Sequence, residues 1–141
     1  MELKPYVFFY GRTKEALDFY KGVLGGNYDA MLVKDSPMAN QWPDAGDRVM
    51  HATFNAPGVS FFASDGQDNK AINPDEGNIS LALDATEDEG QRLFSALAEG
   101  GKVTMPLEDA FWGGKFGIIQ DRFGIEWMMT VGAPATVGAP A

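Results

Sequence analysis

The chain has no cysteine and a single histidine, His51. Disulfides, thiolate metal sites and a cysteine nucleophile are therefore excluded. One histidine per chain also rules out a two-histidine, one-carboxylate iron centre and any catalytic relay that needs a second imidazole. Basic residues are in deficit: 11 Lys and Arg stand against 20 Asp and Glu, for a net charge of −9. No Lys/Arg cluster forms a stripe that would neutralise phosphates, so neither nucleic acid nor an anionic membrane surface is an expected partner. Ordinary solubility accounts for the acidity. No apolar run approaches membrane-spanning length, and residues 1–4 lead straight into strand-like sequence with no charged-then-apolar leader; a cytoplasmic location is the resulting expectation.

The 141 residues suit one domain with a sizeable core. Within them an order of elements recurs. Thr13 precedes a helical pattern (Ala16, Leu17, Tyr20, Val23, Leu24) that stops at Gly25-Gly26, and Thr86 precedes another (Leu93, Phe94, Leu97, Ala98) that stops at Gly100-Gly101. The offset is about 75 positions, and self-similarity at fixed offset signals duplication. Residues 3–10, 28–33, 48–55 and 59–64 read as strands in the first copy, with Ala56-Pro57-Gly58 as a hairpin turn. Residues 78–84, 102–105, 115–120 and 125–131 read as strands in the second, with 106–114 as a loop. Thr86 with Glu89 has the form of a capping box. The segment 34–47, carrying Ser36-Pro37 and Trp42-Pro43-Asp44, is a loop long enough to suspect of function.

Each copy thus reads β-α-β-β-β, about residues 3–64 and 78–131. Together they give an α+β domain over 1–131, in which helices cover one face of each sheet and the paired sheets enclose a concave cavity suited to a ligand. Residues 132–141 form a Gly/Ala/Pro tail, in which Val-Gly-Ala-Pro-Ala from Val131 recurs from Val137 without amphipathic period, as a solvated extension would.

Candidate residues carry two readings each. His51 lies mid-strand, either as a hydrogen-bonded core residue or as a proton shuttle or ligand contact. Glu126 and Met128 alternate onto one face; the carboxylate is a general base if that face is enclosed and a solvated group if it is not. Phe111-Trp112, before a Gly-Gly pair, reads as a lid on a ligand or a plug. Phe9, Asn78 and Ser80 are expected to line the same concavity. Trp42-Pro43 reaches a rim or buries a dimer contact, and Ser64-Asp65-Gly66 reads as a strand end with a turn, the alternative being a catalytic site.

The tandem order, with Pro5-Tyr6-Val7-Phe8-Phe9-Tyr10-Gly11-Arg12, Ala16-Leu17-Asp18-Phe19-Tyr20, Asp47-Arg48-Val49-Met50-His51-Ala52, Ala63-Ser64-Asp65-Gly66, Phe111-Trp112-Gly113, Phe116-Gly117 and Asp121-Arg122-Phe123-Gly124, resembles the vicinal oxygen chelate superfamily. That group contains glyoxalase I, extradiol dioxygenases and bleomycin-resistance proteins, and the segments are similar to its PhnB-like branch. The resemblance implies four metal-ligand places, which fall on Pro5, His51, Asn78 and Met128. Only His51 is a competent ligand, so a lost metal and no cofactor are expected. A methyltransferase activity, a label some of the branch carry, lacks support from any Gly-rich turn between a strand and a helix. The resemblance also implies a homodimer. Two functions follow: binding of a small organic molecule in an aromatic pocket that includes Phe9, His51, Phe111, Trp112 and Met128, or lyase, isomerase or transferase chemistry with His51 and Glu126 as acid and base or as ligands of a weakly held ion.

Overall fold

Alternating apolar residues on short β-branched and aromatic segments, interrupted by two amphipathic 12-residue helices, set the architecture. The computed structural model describes residues 1–111 and 113–132. They divide into two units, Met1–Ala71 and a second from Ile72 onward. The first contains β1 (Tyr6–Phe8), α1 (Thr13–Leu24), β2 (Asn27–Leu32), β3 (Val49–Ala56) and β4 (Val59–Ser64). The second contains β5 (Leu81–Ala85), α2 (Glu87–Ala98), β6 (Lys102–Asp109), β7 (Lys115–Gln120) and β8 (Glu126–Val131). The sheet orders are β1-β4-β3-β2 and β5-β8-β7-β6, with β1-β4 and β5-β8 the parallel pairs. The α+β class and the repeated β-α-β-β-β order expected from the sequence are both present.

In the first unit the α1 stripe of Ala16, Leu17, Tyr20 and Val23 is buried. It meets the helix-facing side of the sheet, where the Tyr20 ring lies 6.0 Å from Phe9 and 6.1 Å, edge-on, from Phe61. Phe61 stacks on Phe54 at 5.1 Å. Fully burying side chains such as Leu17 and Leu97 contributes about 1.5–3 kcal/mol each. In the second unit Leu93, Phe94 and Leu97 of α2 face Ile119, Trp127, Met129 and Val131. Phe94 fits because residue 117 is glycine; a Cβ there would sit 2.7 Å from the Phe94 ring.

The two Gly-Gly stops do more than end helices. A Cβ on Gly26 would lie 2.1 Å from the Asn55 carbonyl oxygen, and one on Gly101 would lie 2.1 Å from that of Gln120. Each second glycine lets the chain leaving the helix pass against a sheet strand's backbone.

Several local expectations are corrected. Thr13 is the first helical residue rather than the cap. Its amide donates to the Asp65 carboxylate at 2.9 Å, so the end of β4 supplies the cap that the local sequence does not. Thr86 is the N-cap of α2, but no side-chain bond forms there, so the capping box with Glu89 is not made. Residues 106–109 continue β6 instead of looping. Pro106 is tolerated because β6 is an edge strand whose pairing with β7 is interrupted between Val103 and Met105 and again between Met105 and Glu108. β5 begins at Leu81, which leaves Asn78 in an exposed bend before it. The 132–141 extension lies outside the described residues from 133 onward.

Candidate functional site

Strand alternation gives the first sheet a second face, opposite α1. Tyr6 pairs with Phe62, Phe62 with Thr53, and His51 with Met31, so these side chains share that face. Phe8 joins them two residues after Tyr6. The rings form a continuous ladder: Tyr6 to Phe8 at 5.2 Å, Phe8 to Tyr10 at 6.0 Å, Tyr6 to Phe62 at 5.9 Å and His51 to Phe62 at 5.1 Å. Lys4 Nζ stands 5.1 Å from the Phe62 centroid and Lys70 Nζ 4.6 Å from that of Tyr10. Tyr6 is 45% and Phe8 43% exposed.

Phe9 departs from expectation. It is buried against Tyr20 on the helix side, and Tyr6 and Phe8 occupy the open face instead. A shift of one residue exchanges the faces of a strand. In Tyr6-Val7-Phe8-Phe9-Tyr10 every residue is apolar or aromatic, so composition does not fix the phase.

His51 has a partner that sequence reasoning missed. The Tyr6 hydroxyl lies 3.0 Å from His51 Nδ1. With neutral imidazole the phenol donates to Nδ1 and the ring proton sits on Nε2; with imidazolium, Nδ1–H donates to the phenol oxygen. Either way the pair fixes the ring and gives it a route for holding or passing a proton. β4 lies between β1 and β3, so no spacing along the chain signals this contact.

A cavity of about 710 Å³ opens beside Phe8 in the same unit, lined also by Trp42, Asp44, Arg48, Met50, Ser64 and Gln67 among others. The segment between β2 and β3 builds one wall. Two short 3-10 turns, Val33–Asp35 and Pro43–Ala45, shape it. Hydrogen bonds from Val33 N to Arg48 O (2.9 Å) and Lys34 N to Gly46 O (3.0 Å) hold its ends together. Arg48 anchors the facing loop, donating from Nε to Gly66 O (3.0 Å), from Nη1 to Asn69 Oδ1 (2.6 Å) and from Nη2 to Asp65 O (2.7 Å). The Asp65 carboxylate is buried and accepts the Thr13 and Val49 amides. Ser64-Asp65-Gly66 therefore has an architectural role. A second cavity of about 390 Å³ shares Phe8, Gly66 and Gln67 and reaches Tyr10 and Lys70. Of the eight residues singled out from the sequence, the seven that lie among the described residues do not line the larger cavity. The Trp42-Pro43-Asp44 loop, flagged for its length, does.

In the second unit Glu126 and Met128 share the face away from α2, as alternation required; their register partners are Gln120 and Ile118. The Ser80 hydroxyl donates to Glu126 Oε1. Asn78 is exposed and Phe111 is 92% exposed. Trp112 lies outside the described residues.

The superfamily's divalent ion needs at least three or four strong donors. The open face of the first unit offers one imidazole and one phenol, already bonded to each other. That of the second offers one carboxylate and one hydroxyl, also mutually bonded. Among the described residues no three His, Asp or Glu side chains converge. Taken by itself, neither unit's donor set fits such an ion.

Comparison with known proteins places this geometry. A family model described as "Glyoxalase/Bleomycin resistance protein/Dioxygenase superfamily" matches residues 2–129. The chain is 28% identical to protein YjdN of Escherichia coli strain K12 over 93% of its own length and 95% of the relative's. Its fold is similar to that of protein PA1353 from Pseudomonas aeruginosa, with 37% identity, a TM-score of 0.78, and coverage of 93% and 97% of the two chains. It is also similar to a PhnB protein from Bacillus cereus, with 26% identity, a TM-score of 0.70, and coverage of 93% and 99%.

Proposed function

We propose, from the premise that this chain belongs to the Glyoxalase/Bleomycin resistance protein/Dioxygenase superfamily, that it is a PhnB-like protein which binds a small planar organic molecule without a metal ion. The observation that carries this reading is the cavity of about 710 Å³ between Phe8 and the Trp42 loop, continuous through Phe8 with an exposed ladder of rings. Its volume lies in the range of ordinary small-molecule sites, about 300–1,000 Å³. Ring stacking against Phe8 and Trp42 supplies affinity with little ordering cost, because both side chains have few rotatable bonds. The test is a thermal-shift and fluorescence screen of planar aromatic compounds on the full chain, repeated on Trp42→Ala. A compound at about 100 times its dissociation constant adds roughly 2.7 kcal/mol to stability, and the gain is expected to fall in the variant. Equal gains in both proteins would overturn the assignment to this cavity.

A second reading has its own observation, the 3.0 Å bond between Tyr6 and His51 on an open face. In it His51 moves a proton to or from a bound carbonyl compound, and Tyr6 positions the ring. The pairing of His51 with Glu126 as acid and base is replaced here, since each already has its own partner, Tyr6 and Ser80. Turnover of carbonyl substrates abolished in His51→Gln and impaired in Tyr6→Phe would favour catalysis; absence of any turnover leaves binding. In either reading the working form is a cytoplasmic homodimer. A monomeric mass by light scattering at micromolar concentration would refute the dimer.

A further inference from the structure

Two charged residues line the larger cavity, Arg48 and Asp44, and only the first is engaged by hydrogen bonds to its neighbours. Arg48 is the cation on the wall, but three of its donors are committed to Gly66 O, Asp65 O and Asn69 Oδ1, and the neighbouring Asp65 carboxylate is buried beside it. That carboxylate accepts the Thr13 and Val49 amides, so Arg48 is held by oxygen acceptors of its loop and not by an ion pair. Lys34 and Asp47, at the back of the same loop, are paired at 3.2 Å. In the adjoining smaller cavity Lys70 lies on the Tyr10 ring, with Asp68 lining the same space. Asp44 stands on the Pro43–Ala45 turn and has neither a hydrogen bond nor an ion pair among the described residues. It shares the cavity with Phe8 and Trp42, whose π-faces attract positive charge. The acidic excess of the whole chain adds a field of the same sign.

We infer that the cavity selects a planar aromatic cation, its ring system against Phe8 and Trp42 and its positive charge toward Asp44. This rests on the binding reading above and narrows it to one charge class. Recognition takes a stack and one charge contact, so the cationic group belongs on or next to the ring system rather than at the end of a long flexible arm.

Two fluorescent probes of similar size and opposite charge test it: proflavine, a planar cation near neutral pH, and anthracene carboxylate, a planar anion. Titrations on the full chain are expected to give tighter binding of proflavine. Asp44→Asn is expected to weaken proflavine by about 1.4- to five-fold, the range of an exposed charge pair, and to leave anthracene carboxylate unchanged or slightly tighter. Asp29→Asn removes the same charge from β2, outside the cavity lining, and is expected to change neither. The proflavine preference is also expected to shrink between about 0.01 M and about 1 M salt, as the screening length falls from about 30 Å to about 3 Å. Equal affinity for both probes, or equal weakening by the two Asn variants, would overturn the charge assignment and leave the binding cavity intact. If neither probe binds while Trp42→Ala still alters the thermal shift with neutral aromatics, the cation is refuted but binding stands. If no aromatic compound binds, both readings fail together.

Discussion

The two units share a topology down to the parallel pairing of first and last strands, yet their open faces differ in chemistry. The first presents Tyr6, Phe8, Phe62 and His51 as a connected set of rings, with a cavity alongside. The second presents Phe116, Ile118, Met128 and Glu126, with one Ser–carboxylate bond. The helix-facing sides, by contrast, obey the same rule: a stripe of apolar residues on the helix meets large residues on the sheet, and a glycine lets chain and strand approach. A duplicated scaffold therefore keeps its core constraints in both copies, while the faces away from the helices carry different chemistry.

Buried carboxylates offer the harshest way to break the likeness. In the second unit Asp121 is 1% exposed and accepts Phe123 N, Ile125 N and Trp127 Nε1, all within 3.0 Å. In the first, Asp65 accepts two amides. At about 1.5 kcal/mol per hydrogen bond to a charged group, Asp121→Ala is expected to cost about 4–5 kcal/mol and Asp65→Ala about 3 kcal/mol in urea unfolding. Equal losses would show that the bond count does not set the difference. The paired glycines come next. Gly26→Ala combines a clash with Asn55 O and a φ of 79°, whereas Gly101→Ala meets only the clash with Gln120 O. Overpacking costs about 1–3 kcal/mol and a left-handed backbone about 1–2 kcal/mol more, so Gly26→Ala is expected to lower the melting temperature further. The reverse order would place the strain elsewhere. On the open faces the effects shrink. Tyr6→Phe and Ser80→Ala each remove a bond between partly exposed groups, and each is expected to change stability by under about 1 kcal/mol. Tyr6→Phe should nonetheless shift the His51 ring signals in an NMR spectrum, and Ser80→Ala should not.

The same contrast explains what could be read from the sequence. Gly25-Gly26 and Gly100-Gly101 announced the duplication because a positive φ at Gly25 and Gly100 and a close backbone approach at Gly26 and Gly101 admit no other residue easily. The stripes of Leu17 and Tyr20, and of Leu93 and Leu97, were legible because a helix repeats every 3.6 residues over 12 positions. β1 was harder. It has three residues, all apolar or aromatic, so the choice between Phe8 and Phe9 had no periodic signal. Pro106 suggested a loop, since nothing local identifies an edge strand. The Tyr6–His51 bond and the Arg48 contacts join positions 45 and 17–21 residues apart, distances at which pairing is decided by sheet order. The place of the Trp42 loop in a cavity wall was visible only as excess length.

The mildest test uses the fact that all four tyrosines lie in the first unit, so alkaline absorbance titration reports on that unit alone. The Tyr28 hydroxyl donates to Asp18 Oδ1 at 2.6 Å. That bond, joined by desolvation and by the carboxylate's charge, pushes the phenol up from its ordinary 10.0 to about 12. The bonded form is the neutral phenol. Below about pH 10 both folded and unfolded chains carry it, and the contribution to stability is complete. As pH rises from 10 toward 12 the unfolded chain ionises while the folded one does not, so stability declines across that window. One tyrosine is accordingly expected to titrate near pH 12 in the folded protein. Asp18→Asn removes the charge and the strongest acceptor, and should bring that midpoint back toward 10. If the late step persists in the variant, a tyrosine other than Tyr28 causes it, and the assignment to the Asp18 bond is wrong.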